Sequence, residues 1–520
     1  MGLIARAALA ALSGVAVFAG FPPLSWHELL FVGLVGLFLS LSGVTPRAGA
    51  LIGLAFGLGF MVPLLRWLTV LGSDAWLMLS LLCALFYAVF GWAAALTSRL
   101  QAPLLWATAS WVGMEMLRAN IPFGGFPWGR ISFATADSPV ISLTRWVGVP
   151  ATSGLVVLAA AATAWGAQKL LASRSFALPA GAAVASPLVL LAVGYALPVG
   201  LAAPGRTVQV ANVQGDVPGT GAESLGERNE VTANHADATI EHAQRVQAGE
   251  EPPPDVVFWP ENSTDIDPFN TPNIRATIDE AVTAIDVPVL LGVIVDGPEE
   301  GQARNVGLVW DPETGPSEDW YVKRHLVPFG EYIPLREQLA PLVSRLDQIA
   351  RDMIPGDQPG VLDLGPVTVG TMMCFDVAYD DTIADNVRNG AELMVVQTNN
   401  ATYYGSDQPE QQWGIERVRA VETGRDLAVS SVNGISGFVA ADGTVVERTT
   451  SRDRQVLSQT MTTATGVTMG VRLGAGLELG LSLLALAGIV VALVLRRRDD
   501  RPVAPAEEDR GTPRDLAAVR

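Results

Sequence analysis

A glutamate, a lysine and a cysteine carry the clearest chemistry in this sequence, because each lies in or after an apolar run rich in β-formers. Glu261 follows "PDVVFWP", Lys323 lies in "WYVKRHLVPFGEYIP", and Cys374 follows "VTVGTMM". Singly, each has an ordinary explanation: a solvated loop acid, a surface lysine and a small buried hydrophobe. Together they supply the base, the cation and the thiol that acyl transfer through a thioester requires.

The elements that must position these residues are strands. Short β-rich runs recur through this region, among them "RTVQVANVQ", "VPVLLGVIV", "ARNVGLVW" and "AELMVVQTN", and polar segments with helical spacing separate several of them. This alternation predicts an α/β or α+β domain with largely buried sheets, which we place at residues 202–470. Such sheets usually build their sites where strands end, which is where the three residues lie.

The remainder of the chain is too apolar for an ordinary soluble protein. The sequence has 520 residues, of which 49% are hydrophobic, and its mean hydropathy is +0.33. Eight runs approach the roughly 20 apolar residues that a bilayer requires: about 3–20, 28–44, 48–71, 76–98, 102–117, 151–171, 178–200 and 471–495. We predict a bundle of seven membrane helices at 1–201, an eighth at 471–496, and a disordered cytoplasmic tail at 497–520.

The distribution of basic residues predicts the orientation. Positive residues favour the cytoplasmic side, and the cluster Arg496–Arg498 abuts the last span. This places both termini in the cytoplasm and residues 202–470 outside. The segment 118–147 runs against this assignment because it carries Arg118, Arg130 and Arg145. We give the cluster at the helix end the greater weight.

The composition of the sequence also argues against several classes of function. A net charge of −18 argues against nucleic acid as a partner, since binding to phosphate requires a basic face. The two cysteines, Cys83 and Cys374, do not predict a disulfide, because Cys83 lies in an apolar run. The four histidines have no zinc-site spacing. We therefore expect no metal and no cofactor.

The order Glu261, Lys323, Cys374 resembles the Glu-Lys-Cys triad of the nitrilase, or carbon–nitrogen hydrolase, superfamily. Together with the helical bundle, the motifs "WPE", "K…LVPFGEYIP" and "FGGFPWG" resemble the apolipoprotein N-acyltransferase family. The resemblance covers the chain to about residue 498. It implies a polytopic α-helical bundle of about eight spans plus an external nitrilase-like α-β-β-α sandwich.

The resemblance also implies roles for individual residues. Cys374 corresponds to the nucleophile, Glu261 to the general base and Lys323 to the triad lysine. Four further residues correspond to supporting positions: Glu331, Phe375, Asp376 and Asn400. Asp376 departs from the family, which usually has glutamate there, and "NATYYG" departs from the expected "ND-small-WFG". The substrate-contacting residues that we expect are Arg118, Trp128, Arg130, Tyr332 and Tyr403.

The implied activity is transfer of an acyl chain from a membrane phospholipid to a diacylglyceryl-modified apolipoprotein. The acceptor is the α-amino group of the N-terminal cysteine, and the reaction is ping-pong through a Cys374 thioester. The resemblance places the protein as a monomer in the bacterial inner membrane, with its catalytic domain outside. The alternatives are a membrane-anchored amidase or nitrilase that uses water, and an inactive transporter or scaffold. Few charged residues lie in the spans to line a pathway, Glu115 being one.

Two segments have alternative interpretations. Leucines recur at helical spacing in Tyr332–Ile349, which predicts either an amphipathic arm on the bilayer or a helix packed on its own domain. The loop Ile121–Arg130 is rich in glycine, proline and aromatic residues, which suits a membrane interface. Its flanking residues Arg118 and Arg130 contact either phospholipid headgroups or acidic residues of the domain.

Overall fold

A computed structural model describes residues 1–173, 178–217, 228–342, 346, 349–450 and 452–499. Helices make up the N-terminal part and the C-terminal end of the described residues, and two β-sheets lie between them. The last helix continues to Asp499, so residues 497–499 of the predicted disordered tail are helical. The rest of that tail, 500–520, lies outside the described residues.

The apolar runs of the sequence are helical. They form α1 (Leu3–Phe18), α2 (His27–Leu41), α3 (Pro46–Leu64), α4 (Ser73–Thr97), α5 (Pro103–Asn120), α6 (Thr144–Ser173), α7 (Leu178–Val184), α8 (Ser186–Ala196) and α14 (Met469–Asp499). Small residues bring these helices close together. A Cβ on Gly53 would lie 2.0 Å from the Tyr87 carbonyl oxygen of α4, so α3 and α4 are in backbone contact.

Within the described ranges, four helices are long and apolar enough to cross a bilayer: Pro46–Leu64, Ser73–Thr97, Pro139–Ala172 and Met469–Arg498. Helices α7 and α8 are bent by 55° and add a fifth if they form one span. The predicted number of about eight spans is therefore not supported. α1 and α2 have 16 and 15 residues, fewer than the roughly 20 that the hydrocarbon core requires. α5 is less apolar because it carries Glu115 and Arg118.

The region between the apolar helices folds into two sheets. The first has the order β13-β1-β2-β3-β4-β5 with β6 beside β4, where the strands are β1 (Pro204–Gln214), β2 (Val256–Phe258), β3 (Val289–Asp296), β4 (Gln302–Asp311), β5 (Gly315–Val322), β6 (Asp352–Met353) and β13 (Gln455–Ala464). The second has the order β12-β11-β10-β9-β8-β7, with β7 (Val361–Asp363), β8 (Thr368–Met373), β9 (Leu393–Thr398), β10 (Leu427–Ser431), β11 (Gly437–Val439) and β12 (Val445–Arg448).

The two sheets stack with helices on their outer faces. In β1, Val208 and Val210 pack between the sheets, whereas Ala211 and Val213 pack beneath helices, as the two-residue period of a strand requires. The outer helices are α9 (Arg228–Gln247) and α10 (Pro272–Ile285) on the first sheet, and α12 (Asp380–Arg388) and α13 (Gln408–Thr423) near the second. The predicted α/β sheets are confirmed, and their layering is α-β-β-α.

Helix α13 also joins the sheets to the membrane bundle. The indole N–H groups of Trp67 and Trp128 both donate to Gln411 Oε1, at 3.2 and 2.8 Å. Gln411 Nε2 in turn donates to the Leu64 carbonyl at 3.1 Å. One hydrophobic core runs from the bundle into the outer layer of the second sheet. The loops of the bundle therefore lie against the domain that carries the predicted site.

Candidate active site

The predicted catalytic residues follow three strand ends. Glu261 lies three residues beyond β2, Lys323 directly follows β5, and Cys374 directly follows β8. β5 is antiparallel to β4, which is antiparallel to β3, and β3 is parallel to β2. β2 and β5 therefore end at the same edge of the first sheet, so Glu261 and Lys323 meet although 62 residues separate them.

Lys323 is held by two carboxylates. Its Nζ donates to Glu261 Oε1 and to Glu331 Oε1, both at 2.9 Å. Asn305 Nδ2 donates to Glu261 Oε1 at 2.8 Å, and the Asn399 backbone N–H donates to Glu261 Oε2 at 2.9 Å. Glu331 Oε2 accepts from the Val327 N–H at 2.8 Å. Charge-assisted hydrogen bonds of this kind fix the cluster in one geometry.

Burial and mutual charge set the protonation of this cluster. Burial raises the pKa of Glu261, and the neighbouring Glu331 raises it further, while Lys323 opposes both. For Lys323, burial lowers the pKa, but the carboxylates of Glu261 and Glu331 raise it well above its ordinary value. The lysine is therefore a cation beside a carboxylate with raised proton affinity.

Cys374 lies at a sharp turn. Its φ is +46°, in the left-handed region that a residue with a Cβ seldom adopts, and it begins the 3₁₀ helix Cys374–Ala378. Its Sγ lies 3.8 Å from Gln412 Oε1. Burial raises the pKa of the thiol to about 12, Glu261 also raises it, and Lys323 lowers it. The turn therefore presents a protonated thiol within the electrostatic reach of both charged residues.

Asp376 braces this turn. It is fully buried and accepts from the Tyr321 hydroxyl at 2.6 Å, from the His325 N–H at 2.8 Å and from the Met373 N–H at 3.1 Å. Burial raises its pKa, and the charge of Lys323 opposes that effect. Its three partners lie at the end of β5, in the segment after Lys323 and at the end of β8. The shorter acid thus ties the lysine segment to the nucleophile strand.

An aromatic shelf borders Cys374, the predicted nucleophile. We give this name to Phe126, Trp128 and Phe375, whose rings stack with centroid distances of 5.6 Å for Phe126–Phe375 and 6.4 Å for Trp128–Phe375. Phe126 and Trp128 come from the bundle loop, and Phe375 follows Cys374. The Tyr379 hydroxyl donates to the carbonyls of Gly124 and Gly125 at 3.3 and 3.1 Å. The bundle therefore supplies part of the wall of the site.

The two arginines of the loop segment are buried, with 1% and 3% of Arg118 and Arg130 exposed. Arg118 donates through Nη1 to the Phe126 carbonyl at 2.9 Å and also to the Trp128 carbonyl. Arg130 pairs with Asp380 at 2.7 Å and with Glu478 of α14 at 3.0 Å. The sequence left open whether Arg130 contacts a phospholipid headgroup or an acidic residue of the domain, and the structure pairs it with an acidic residue. Arg118 holds the backbone of the aromatic shelf.

The other two predicted contact residues, Tyr332 and Tyr403, contact loops of the bundle. The Tyr332 hydroxyl donates to the Phe123 carbonyl at 3.3 Å. Tyr403 packs edge-on against Trp67 at 5.1 Å. Burial raises the pKa of its hydroxyl, and Cys374, when ionised, raises it further. Asn400 is buried and accepts from Thr398 Oγ1 at 3.2 Å.

The segment Tyr332–Ile349 is not one continuous helix. It contains α11 (Arg336–Leu339) and a 3₁₀ turn at Ala340–Leu342. Leu335 is 61% exposed, whereas Leu346 is buried. The side chains of residues 339, 342–345, 347 and 348 lie outside the described residues, so the amphipathic arm stays a prediction.

Several residues of the site have no signal in the sequence. Asn305 lies inside β4, Thr398 ends β9, and Gln412 lies inside α13. Neutral amides and hydroxyls are common at such positions, and only the packing of distant segments brings these three to the charged residues. In the part of the chain that the structure describes, no group of three or more His, Cys, Asp or Glu residues could hold a metal ion.

Comparisons with known proteins agree with this arrangement. The family model "Carbon-nitrogen hydrolase" matches residues 210–467, and the model "Apolipoprotein N-acyltransferase N-terminal domain" matches residues 13–162. An apolipoprotein N-acyltransferase from Mycolicibacterium smegmatis is 35% identical over 92% of this chain and 83% of its own length. One from Nitrosomonas europaea is 30% identical over 93% of this chain and 97% of its own length.

A solved structure is also similar. A variant amidase of the nitrilase superfamily from Nesterenkonia has a TM-score of 0.38 and 15% identity, and the match covers 52% of this chain and 96% of that one. The two stacked sheets and the family match at residues 210–467 define the class of the domain, a nitrilase-like carbon–nitrogen hydrolase fold. With the identities to the two bacterial relatives, the chain belongs to the apolipoprotein N-acyltransferase family. Its apolar helices and this family make it a membrane protein.

Proposed function

We propose that this protein transfers an acyl chain from a membrane phospholipid to the α-amino group of the N-terminal diacylglyceryl-cysteine of apolipoproteins. The observation that carries the proposal is the meeting of a thiol, a carboxylate–ammonium pair and an aromatic shelf built partly by the membrane bundle. A soluble amidase needs the charged residues but has no use for a wall supplied by membrane helices. Family membership supports the same activity.

The first half-reaction acylates the enzyme. Glu261, whose raised pKa favours proton uptake, takes the proton of Cys374 Sγ, and the thiolate attacks the ester carbonyl carbon of the phospholipid. Lys323 and the Phe375 N–H stabilise the oxyanion, at about 3–4 kcal/mol for each donor. The bond to the ester oxygen then breaks. Glu261 returns the proton to that oxygen, the lysophospholipid leaves, and a thioester remains.

The second half-reaction uses an amine in place of the ester. The neutral α-amino nitrogen attacks the thioester carbonyl, Glu261 takes the amine proton, and the carbon–sulfur bond breaks. Cys374 leaves as a thiolate and recovers the proton from Glu261. Because both substrates are lipid-anchored, the bilayer confines them to the surface where the site lies, which raises their effective concentration. No cofactor enters either step.

We further propose that residues 202–470 lie on the extracytoplasmic side, with both termini in the cytoplasm and the enzyme acting as a monomer. In this arrangement α1, α2 and α5 complete eight membrane segments with the longer helices and the bent pair. The basic cluster Arg496–Arg498 in the last turn of α14 supports this orientation. Reporter fusions after α8 and after α14 test it. An external signal from the second fusion contradicts it.

The test of the activity uses purified full-length protein and a phospholipid with a labelled acyl chain. We expect a hydroxylamine-sensitive label on the wild type and none on Cys374→Ala. Adding a peptide with an N-terminal diacylglyceryl-cysteine should move the label to the peptide amine. Equal labelling of both proteins contradicts the thioester, and release of only free fatty acid in the presence of the peptide favours the hydrolase alternative.

A further inference from the structure

Helix α13 carries a row of three buried polar side chains, of which the middle one contacts Cys374. Gln408, Gln412 and Glu416 are spaced by four residues, which places them on one face of the helix. Their exposed fractions are 3%, 1% and 1%. Polar side chains buried this deeply cost free energy unless they are hydrogen-bonded. None of the three has a part in the proposed reaction.

The hydrogen bonds of this row fix the orientation of one amide. Gln412 Nε2 donates to Glu416 Oε1 at 2.9 Å and to Thr398 Oγ1 at 3.0 Å. Gln412 Oε1 accepts from Gln408 Nε2 at 2.9 Å. Both N–H groups of the Gln412 amide are thereby used, and its oxygen is the atom that lies 3.8 Å from Cys374 Sγ.

An amide oxygen at this position favours the protonated thiol. It accepts a hydrogen bond from S–H, whereas it repels the negative charge of a thiolate. The charged groups that act on the thiol from the other elements are Glu261, Lys323 and Glu331, and a hydrogen bond from the Thr398 hydroxyl lowers the pKa of the thiol. Burial raises the pKa of Glu416 to about 8, so at neutral pH this carboxyl is mostly uncharged. Thr398 and Glu416 therefore direct the Gln412 oxygen toward the sulfur without placing a full charge beside it.

We propose that Gln412 is a positioning residue for the nucleophile. It holds Cys374 as a thiol, aimed into the site, until substrate arrives, and Glu416 keeps its amide from turning. The inference rests on the proposed role of Cys374. It implies that removing the Gln412 amide makes the resting thiol more reactive while it slows the enzyme.

The experiment measures two rates on full-length enzyme in detergent. One is alkylation of Cys374 by iodoacetamide without lipid, followed by peptide mass spectrometry so that Cys83 does not contribute. The other is acyl transfer from labelled phospholipid to the diacylglyceryl-cysteine peptide. For Gln412→Met we expect alkylation to rise about three- to tenfold and kcat to fall by a similar factor. A change of this size corresponds to the loss of one hydrogen bond. KM should change little.

A second variant separates this effect from loose packing. Gln412→Glu places a carboxyl against the thiol, so alkylation should fall below the wild-type rate, whereas a merely loosened site would speed it in both variants. Glu416→Gln keeps an oxygen that accepts from Gln412 and should stay within about twofold of the wild type. The matched control is Glu410→Gln on the same helix. Glu410 pairs with Arg448 at 2.9 Å, away from the sulfur, and both rates should stay unchanged.

The outcomes are distinct. Alkylation that is slower or unchanged in Gln412→Met, or a kcat that is unchanged or higher, overturns the positioning role. Alkylation that rises in Gln412→Glu also overturns it. If the wild type forms no acyl-enzyme at all, the proposed function fails whatever the alkylation rates are.

Discussion

Two buried charge networks adjoin the turn that begins at Cys374, and they differ in their cations. The proposed catalytic network, called the catalytic network from here on, joins Lys323 to Glu261 and Glu331. The junction network, as we call the other, joins Arg130 and Arg419 to Asp380, Glu422 and Glu478. An ammonium shifts its pKa readily when buried, whereas a guanidinium stays charged and binds two partners in a fixed plane. The lysine therefore suits chemistry, and the arginines suit permanent connection.

The junction network connects the turn to the membrane. Arg419 donates to the Val377 carbonyl at 2.8 Å and to the Ala378 carbonyl at 2.9 Å, both in the 3₁₀ helix that begins at Cys374. Through Arg130 the same network reaches Glu478 in α14. The position of the nucleophile thus depends on the last membrane helix as well as on its own strand.

The largest expected effect comes from breaking the junction. Arg130→Met leaves Glu478 without its cation and Asp380 with Arg419 alone, which should destabilise the protein by about 3–5 kcal/mol. A thermal unfolding scan in detergent measures this loss of stability as a lower Tm. The Tm of Arg130→Lys should lie between those of the wild type and Arg130→Met, because an ammonium lacks the planar fork of a guanidinium. The control is Arg206→Met, which breaks an exposed pair with Glu392 and should cost about 0–1 kcal/mol. Equal losses of stability in Arg130→Met and Arg206→Met would contradict the stabilising role of Arg130.

The next effect concerns the catalytic network. Lys323→Met removes the cation that stabilises thiolate and oxyanion, so the rate of acyl-enzyme formation should fall about 10²–10³-fold. Rapid-quench labelling with the phospholipid measures it. Lys323→Arg should not restore the rate, because a guanidinium does not fit the two contacts of Nζ at 2.9 Å. Full activity of Lys323→Arg would contradict the inference that the reaction requires an ammonium and not a guanidinium.

The sequence predicts the catalytic network better than the junction. A reactive residue type at the end of an apolar run is a local signal, which is why Glu261, Lys323 and Cys374 could be selected and why the α/β sheets could be predicted. The partners of Arg130 give no such signal, since Asp380 lies 250 residues away. An arginine beside an interfacial loop therefore suggested a headgroup contact as readily as an ion pair.

The same reasoning explains the span count and the supporting amides. Hydropathy selects apolar runs, but it does not show that α1 and α2 stop at 16 and 15 residues. Asn305 and Gln412 acquire their roles only when β4 and α13 pack beside the strand ends. Local composition carries no information about that packing.

A smaller effect is expected at Asp376, which braces the turn that begins at Cys374. Asp376→Asn replaces an acceptor of three hydrogen bonds with a group that accepts through one oxygen, so kcat should fall about tenfold and stability by about 1–3 kcal/mol. Tyr321→Phe removes only the 2.6 Å bond to Asp376 and should have the smaller effect on both. Turnover and Tm are measured on both variants, Asp376→Asn and Tyr321→Phe, and compared with the wild type. A larger loss in Tyr321→Phe would show that Asp376 is not the centre of the brace.

The smallest expected effect is on the pH dependence of stability, to which Asp380 and Glu261 contribute with opposite signs. Burial alone would raise the pKa of Asp380, but Arg130 and Arg419 more than offset it and hold the pKa below the ordinary 3.8. The folded protein therefore binds fewer protons than the unfolded chain just below that value, so Asp380 stabilises the fold above it and loses that contribution as pH falls. Burial raises the pKa of Glu261, so this carboxylate takes up its proton at higher pH and its contribution to stability has the opposite sign. The acid loss therefore reports on Asp380 and not on Glu261. A series of Tm measurements between pH 3 and 6 should show a steeper acid loss for the wild type than for Asp380→Asn, and parallel curves would mean that Asp380 is not stabilised by its arginines.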